Sequence, residues 1–112
     1  MKHKTPGLEG MLLDAAVAMA VSRVPGYSWG MAEGRVVLVD QAGPEFDPFQ
    51  PSTNWAQGGL IIERERIDVT AHADSWFAKP AYRGVGGCGA TPLIAAMRAY
   101  VAAKLGNEIE LP

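Results

Sequence analysis

The sequence predicts an α+β domain in which two principal helices pack on a small antiparallel sheet of about three strands. Two apolar segments, one near each end of the 112-residue chain, open with Thr-Pro and predict the helices. Between them, a run of β-branched residues and a segment of alternating polarity predict strands. Because 48% of the residues are hydrophobic, a chain of this length can form one core, and we expect a single domain over residues 1–112.

The first helix is predicted to run from Thr5-Pro6 to about Val21. Threonine is a good N-cap, and proline is favoured at the first helical position. Apolar side chains surround this helix almost completely, which predicts contacts on more than one face. The second helix repeats the opening at Thr91-Pro92 and is predicted to end at Gly106, because glycine suits the residue after a helix. One of its faces consists of alanines, which permit close approach of another helix.

The middle of the chain predicts short strands. Arg35–Asp40 is rich in β-branched residues, and Ile67–His72 alternates apolar with polar side chains as a half-buried strand does. A further short strand is expected at Trp76–Ala78, whereas Tyr27–Gly34 is expected to be irregular.

Composition and charge argue against several classes of function. The net charge is −2 and the basic residues are scattered along the sequence, which argues against a nucleic-acid partner. The single cysteine, Cys88, cannot form an internal disulfide, which fits a cytoplasmic protein. The apolar run Met11–Val21 is too short to span a membrane, and Asp14 interrupts it, so we expect neither a membrane anchor nor a signal peptide. No cofactor and no metal site is predicted.

A glycine-rich segment precedes the second helix. Gly84–Gly89 matches the pattern G-x-G-x-x-G, and the amides and dipole at a helix N-terminus can hold an anion. Gly86, Gly87, Gly89 and Thr91 therefore form a candidate anion-binding site. A dinucleotide-binding fold also needs a preceding strand, a βαβ unit and a downstream acidic residue, so a flexible connector is the favoured interpretation.

Asp14 is an anomaly inside the apolar first helix. A buried carboxylate without a partner costs several kcal/mol, so Asp14 must be paired or lie at an edge of the core. Arg98, beside the apolar face of the second helix, is the candidate partner, and the pair would join the two helices. The alternative, given equal weight, is that Asp14 faces water.

The best binding candidate is the segment Ser52-Thr53-Asn54-Trp55, with Glu63 and Arg64 completing its rim. A tryptophan in a polar, proline-flanked loop can anchor a partner, while hydroxyl and amide groups fix its orientation. The favoured alternative is that Trp55 packs inward and that Ser52 or Thr53 caps the next helical turn. That turn is expected to break at Gly58-Gly59, and Leu60–Glu65 then forms a short helix or a crossover.

Three segments carry a family resemblance: Thr5 with Leu8–Gly10, Leu13-Asp14 and Ala16–Ala18; Pro51–Trp55 with Gly58-Gly59 and Ile62–Glu65; and Thr91–Val101. Together they resemble the NinX family, small proteins of lambdoid phages and prophages. Asn54 stands where that family usually has aspartate, Leu60 stands where proline is common, and the loop Gly84–Gly89 is peculiar to this chain. The resemblance implies a phage or prophage origin and a cytoplasmic setting, and it supplies no reaction.

We weigh three hypotheses for the function. The favoured one is a non-catalytic accessory protein that binds a protein partner or a second copy of itself, motivated by the alanine face and the apolar first helix. The second is a small-molecule or nucleotide-processing enzyme, which predicts His72, Cys88 and the loop amides in one pocket. The third is a weak single-stranded nucleic-acid binder that uses Trp55, Arg64 and Arg66.

Overall fold

The computed structural model describes all residues, 1–112, and contains three α-helices and three small antiparallel sheets. The helices are α1 (Gly10–Val21), α2 (Trp55–Glu65) and α3 (Pro92–Leu105), and a 3₁₀ turn covers Thr5–Gly7. The strands, in chain order, are β1 (Lys2–Lys4), β2 (Tyr27–Ala32), β3 (Arg35–Asp40), β4 (Glu45–Phe46), β5 (Ile67–His72), β6 (Ser75–Pro80), β7 (Gly87–Gly89) and β8 (Glu108–Glu110).

The three sheets have the strand orders β1-β8, β2-β3-β4 and β5-β6-β7. The first of them joins the two ends of the chain, since Lys2 pairs with Glu110 and Lys4 with Glu108. Thr5 continues this contact: its N–H donates to the Asn107 carbonyl at 2.8 Å, and its hydroxyl donates to the Gly106 carbonyl at 2.6 Å.

The prediction of an α+β fold is confirmed, but the two long helices do not share one sheet. α1 packs against β2 and β3 and against α3, and α3 packs in turn against β5, β6 and β7. Each helix is therefore covered on more than one side, which is why apolar residues surround it. The alanines of α3 are at most 9% exposed, so its alanine face belongs to the core.

Two segments near the N-terminus differ from the prediction. Thr5 does not cap α1, because its side chain is turned to the end of α3 and the helix begins five residues later, at Gly10. Tyr27–Ala32 is not irregular but forms β2, which pairs with β3 along its whole length. Most of its side chains are exposed, so the strand lacks the regular alternation that would have identified it.

Gly58 and Gly59 do not break a helix. α2 runs through both, and a Cβ at Gly58 would overlap the Pro51 carbonyl oxygen and come within 2.6 Å of the Leu93 side chain. Glycine is therefore needed at position 58 for close packing against the preceding loop and α3. Leu60–Glu65 is the continuation of the same helix.

Candidate functional site

The segment Ser52–Trp55 leads into α2 and supplies the N-cap of that helix. Asn54 caps the helix, since its Oδ1 accepts the Ala56 N–H at 2.9 Å. Ser52 is buried, whereas Thr53 is exposed. Trp55 is 57% exposed. Inward packing of Trp55 with Ser52 or Thr53 as the cap, the favoured interpretation of the sequence, is therefore wrong.

Trp55 and Arg64 do not share one surface. Nine positions along a helix correspond to about 14 Å of rise and half a turn of rotation, so the two residues lie at opposite ends and on opposite faces of α2. Glu63, also exposed, lies near the C-terminal end with Arg64. The structure thus separates the residues expected to complete the rim around Trp55, and it does not form a track from Trp55 to Arg64 and Arg66.

Asp14 and Arg98 do not form the predicted pair. Asp14 is 5% exposed, and its Oδ1 accepts the backbone N–H of Ser52 at 2.9 Å. Burial raises the pKa of Asp14 above its ordinary value, although the hydrogen bonds with Ser52 oppose the shift. Arg98 donates instead to the carbonyls of Leu8, at 2.8 Å, and Cys88, at 2.9 Å. Each side chain therefore ties its helix to a loop or strand rather than to the other helix.

The glycines before α3 are explained by packing. A Cβ at Gly87 would lie 2.5 Å from the Ala99 nitrogen, and one at Gly89 would lie 2.7 Å from Cγ2 of Ile94. Gly86 lies under the ring of Phe77, where a Cβ would be 2.6 Å from Cζ. Gly87–Gly89 is strand β7 and not a flexible connector. The glycine pattern needs no bound anion to account for it.

The remaining member of that candidate anion site, Thr91, serves as a cap. Its Oγ1 accepts the Ile94 N–H at 3.1 Å and so occupies one of the free donors at the start of α3. This is the role that the Thr-Pro opening predicts.

His72 and Cys88 do not line one pocket. Cys88 borders a small cleft together with Arg98 and the glycines of β7, and His72 is absent from its lining. His72 faces Ser75 at the β5–β6 turn, and the sheet geometry places its Cα about 12 Å from that of Cys88. No group of three or more histidine, cysteine, aspartate or glutamate side chains is placed to hold a metal ion. The structure therefore does not bring His72 into one pocket with Cys88 and the loop amides, as the enzyme hypothesis requires.

A larger cleft, of about 770 Å³, opens at the C-terminal end of α3. We call it the cationic cleft, because four basic side chains, one carboxylate and all three tyrosines of the chain line it: Arg23, Arg64, Arg83, Lys104, Glu65, Tyr27, Tyr82 and Tyr100. They come from the turn after α1, β2, the end of α2, the turn after β6, and α3. Sequence analysis missed this site, because residues from so many segments leave no local pattern.

Glu65 contacts three other side chains on one side of the cationic cleft. The hydroxyl of Tyr82 donates to its Oε1 at 2.8 Å, Nε of Arg64 donates to its Oε2 at 3.2 Å, and Nζ of Lys104 lies 3.3 Å from its Oε1. Burial raises the pKa of Glu65, but these partners outweigh burial and leave the pKa below its ordinary value. Burial and the bond to Glu65 raise the pKa of Tyr82 well above its ordinary value. These three neighbouring side chains therefore favour the ionised form of the Glu65 carboxylate.

Arg23 and Arg83 are on the cleft without any carboxylate partner. Nη1 of Arg23 donates to the Lys104 carbonyl at 2.7 Å, and Nη2 of Arg83 donates to the Ala103 carbonyl at 3.0 Å. Neither arginine has an ion pair. Because the two carbonyls are consecutive, both guanidinium groups are held at the same helix end.

A model of a known protein family matches nearly the whole of this chain. The family model described as "Bacteriophage P22, NinX" matches residues 4–104. The chain belongs to the NinX family. The match runs from the last residue of β1 to the last turn of α3, so it includes both α2 with Trp55 and the cationic cleft. It confirms the resemblance seen in the sequence and identifies a phage-derived protein.

Two further findings bear on the chain. No curated protein matches it. None of its three α-helices has both the length and the apolar character that crossing a membrane requires.

Proposed function

We propose that this NinX-family protein is a non-catalytic phage accessory protein that acts by binding a protein partner. The observation that carries the proposal is the exposure of Trp55, which is 57% accessible on the surface of α2. A tryptophan side chain contributes a large apolar area and one hydrogen-bond donor. It is therefore among the residues that dominate binding energy when a partner covers them.

Helix α2 is the helix that its own chain covers least. Only Gly58 and Ile61 are buried among its 11 residues, whereas nine of the 14 residues of α3 are buried. Leu60 on the same helix is also 58% exposed, but it lies about 140° around the helix from Trp55 and does not extend the Trp55 surface. Because Asn54 caps its first turn, α2 presents Trp55 on a rigid element, and binding a partner there costs little ordering entropy.

A different protein, rather than a second copy, is the proposed partner. The alanine face of α3, which suggested self-association, is buried within the same chain, and α1 exposes only Met11 and Leu12 among its large apolar side chains. Trp55 suits a single anchor within a larger contact with another protein.

The proposal is tested by capture from phage-infected cells, followed by binding measurements with the purified partner. We expect Trp55→Ala to weaken direct binding tenfold or more, about the cost of losing a hot-spot residue. Met31→Ala is the matched control, because Met31 is 40% exposed on β2, outside α2. Equal binding by wild type and Trp55→Ala overturns the proposal.

Light scattering at micromolar concentration tests the self-association that the proposal disfavours. We expect a monomer for both wild type and Trp55→Ala. A dimer that Trp55→Ala dissociates would replace the proposed partner with a second copy of the chain.

A further inference from the structure

We propose that the cationic cleft binds a phosphate-bearing small molecule of nucleotide size. Four basic side chains and one carboxylate line the cleft, which leaves a local charge of +3 in a chain whose net charge is −2. A concentration of like charge against the sign of the whole molecule attracts an oppositely charged ligand.

The chain does not neutralise this charge itself. The carboxylate of Glu65 contacts Tyr82, Arg64 and Lys104 and forms no ion pair with Arg23 or Arg83. Arg23 and Arg83 each donate one hydrogen bond to a main-chain carbonyl. A guanidinium group has five N–H donors, so most of the donors of both groups are available. A guanidinium group binds phosphate oxygens with charge-assisted, often bidentate hydrogen bonds.

The cleft is larger than a phosphate ion. Its volume of about 770 Å³ lies in the range of sites for small organic ligands and cofactors. Tyr27 and Arg64 also line a smaller, mainly apolar pocket of about 110 Å³ next to it. A ligand with a phosphate and a flat ring would match both parts, the phosphate at the arginines and the ring against Tyr27. Nucleotides combine these two chemical features.

Capping of α3 is the competing explanation for the two arginines. Basic side chains are favourable at the C-terminus of a helix, where they meet the negative end of its dipole. Capping predicts that the loss of Arg23 and Arg83 lowers stability and that no phosphate compound binds. Capping accounts for Arg23 and Arg83 but not for Arg64, which comes from α2 and lines the same cleft.

Titration of the full-length protein by calorimetry and NMR at low salt tests the proposal. The probes are the four common nucleoside 5′-monophosphates, the corresponding nucleosides, inorganic phosphate and a short oligothymidylate. We expect at least one monophosphate to bind with a Kd below about 1 mM, and its nucleoside and inorganic phosphate to bind at least tenfold more weakly. NMR shifts are expected at Tyr27, Tyr82 and Arg83.

The decisive variant is the double substitution Arg23→Gln with Arg83→Gln, which we expect to weaken monophosphate binding about tenfold or more. Lys2→Gln with Lys79→Gln removes the same charge from exposed positions outside the cleft and is expected to bind like wild type. Circular dichroism verifies that both double variants are folded. If the arginine variant is not folded, Arg83→Gln alone and the NMR shifts in wild type decide the outcome.

Four results would overturn the proposal. They are the absence of saturable binding up to about 10 mM monophosphate, equal weakening by the lysine control, binding of the nucleoside as tightly as its monophosphate, and NMR shifts confined to residues outside the cleft. A further result, oligothymidylate binding at least tenfold more tightly than any monophosphate, would replace the small ligand with a nucleic-acid strand.

Discussion

Both ends of helix α3 are held by other parts of the chain, but only the C-terminal end borders an open cleft. At its N-terminal end, the glycines of β7 bring a strand against the helix backbone, and Thr91 satisfies a free amide. At its C-terminal end, Arg23 and Arg83 meet the last carbonyls and border an open cleft. The end where a glycine-rich pattern indicates an anion site is thus closed by packing, and the positive charges collect at the opposite end.

The difference teaches that a glycine-rich loop before a helix has two physical explanations. Glycine permits close approach of the backbone to a ligand, but it equally permits close approach to another part of the same chain. The comparison predicts that substitutions at the N-terminal end of α3 cost stability, whereas those at the C-terminal end cost mainly electrostatic interactions.

The largest effect is expected for Gly87→Ala. Its Cβ would lie 2.5 Å from the Ala99 nitrogen and 2.6 Å from the Ala95 carbonyl oxygen, and these backbone atoms cannot yield as a flexible side chain can. We expect the free energy of unfolding, measured in urea, to fall by about 3 kcal/mol. Gly84→Ala is the control, since nothing lies within 4 Å of its Cβ. Equal stability of the two variants would contradict the packing role of β7.

Arg98→Ala is expected to have the next largest effect. The guanidinium group joins the carbonyls of Leu8 and Cys88, so its loss leaves two acceptors without their charged donor. Urea unfolding should report a loss of about 2 kcal/mol, within the range for hydrogen bonds to charged groups. Lys79→Ala removes an exposed cation on β6 and should change stability by less than about 0.5 kcal/mol. A loss as small as that of the control would rule out this bridging role.

Thr91→Ala should lower the free energy of unfolding by about 1 kcal/mol, because it removes the N-cap of α3. Thr91→Ser keeps the hydroxyl oxygen and is expected to retain most of the stability. If serine fails to restore what alanine loses, packing of the threonine methyl group and not capping is responsible.

Glu65→Gln should have the smallest effect, and that effect should depend on pH. The pKa of Glu65 is lower in the folded chain than its ordinary value of 4.5, so its carboxylate contributes stability above that pH. This contribution is lost as the pH falls below 4.5 through the folded-state pKa. We expect wild type to exceed the variant at pH 7 by less than about 1 kcal/mol, because part of the site is open to solvent.

Urea unfolding at several pH values between 7 and 3 measures this difference, with Glu63→Gln as the control for loss of an exposed neighbouring carboxylate. A difference that is constant over this pH range would mean that ionised Glu65 does not hold one wall of the cleft.

Elements with strong local signals were predictable from the sequence. α3 begins and ends where Thr91, Pro92 and Gly106 predict, because capping depends on residues within one helical turn. β3 and β5 follow their β-branched and alternating patterns. β2 was missed because most of its side chains face water.

The distribution of the sites explains what sequence analysis could not find. Trp55 belongs to a short segment, so it was identified, but its exposure depends on which face of α2 meets the core. Asp14 was recognised as an anomaly that either pairs with Arg98 or faces water, whereas its actual partner is the backbone of Ser52, which carries no side-chain signal. The cationic cleft combines residues as distant as Arg23 and Lys104, which only the packing of α1 against α3 brings together.

The pairing of β1 with β8 places residues near positions 1 and 112 side by side. The amino group of Met1 donates to the Leu111 carbonyl at 2.8 Å, so a short linker can connect the two termini without disturbing the structure. New termini can then be opened in the exposed turn at Gln41–Gly43, which lies between β3 and β4. Such a circularly permuted chain would leave α2 and the end of α3 intact, and a reporter domain could be attached far from β1 and β8.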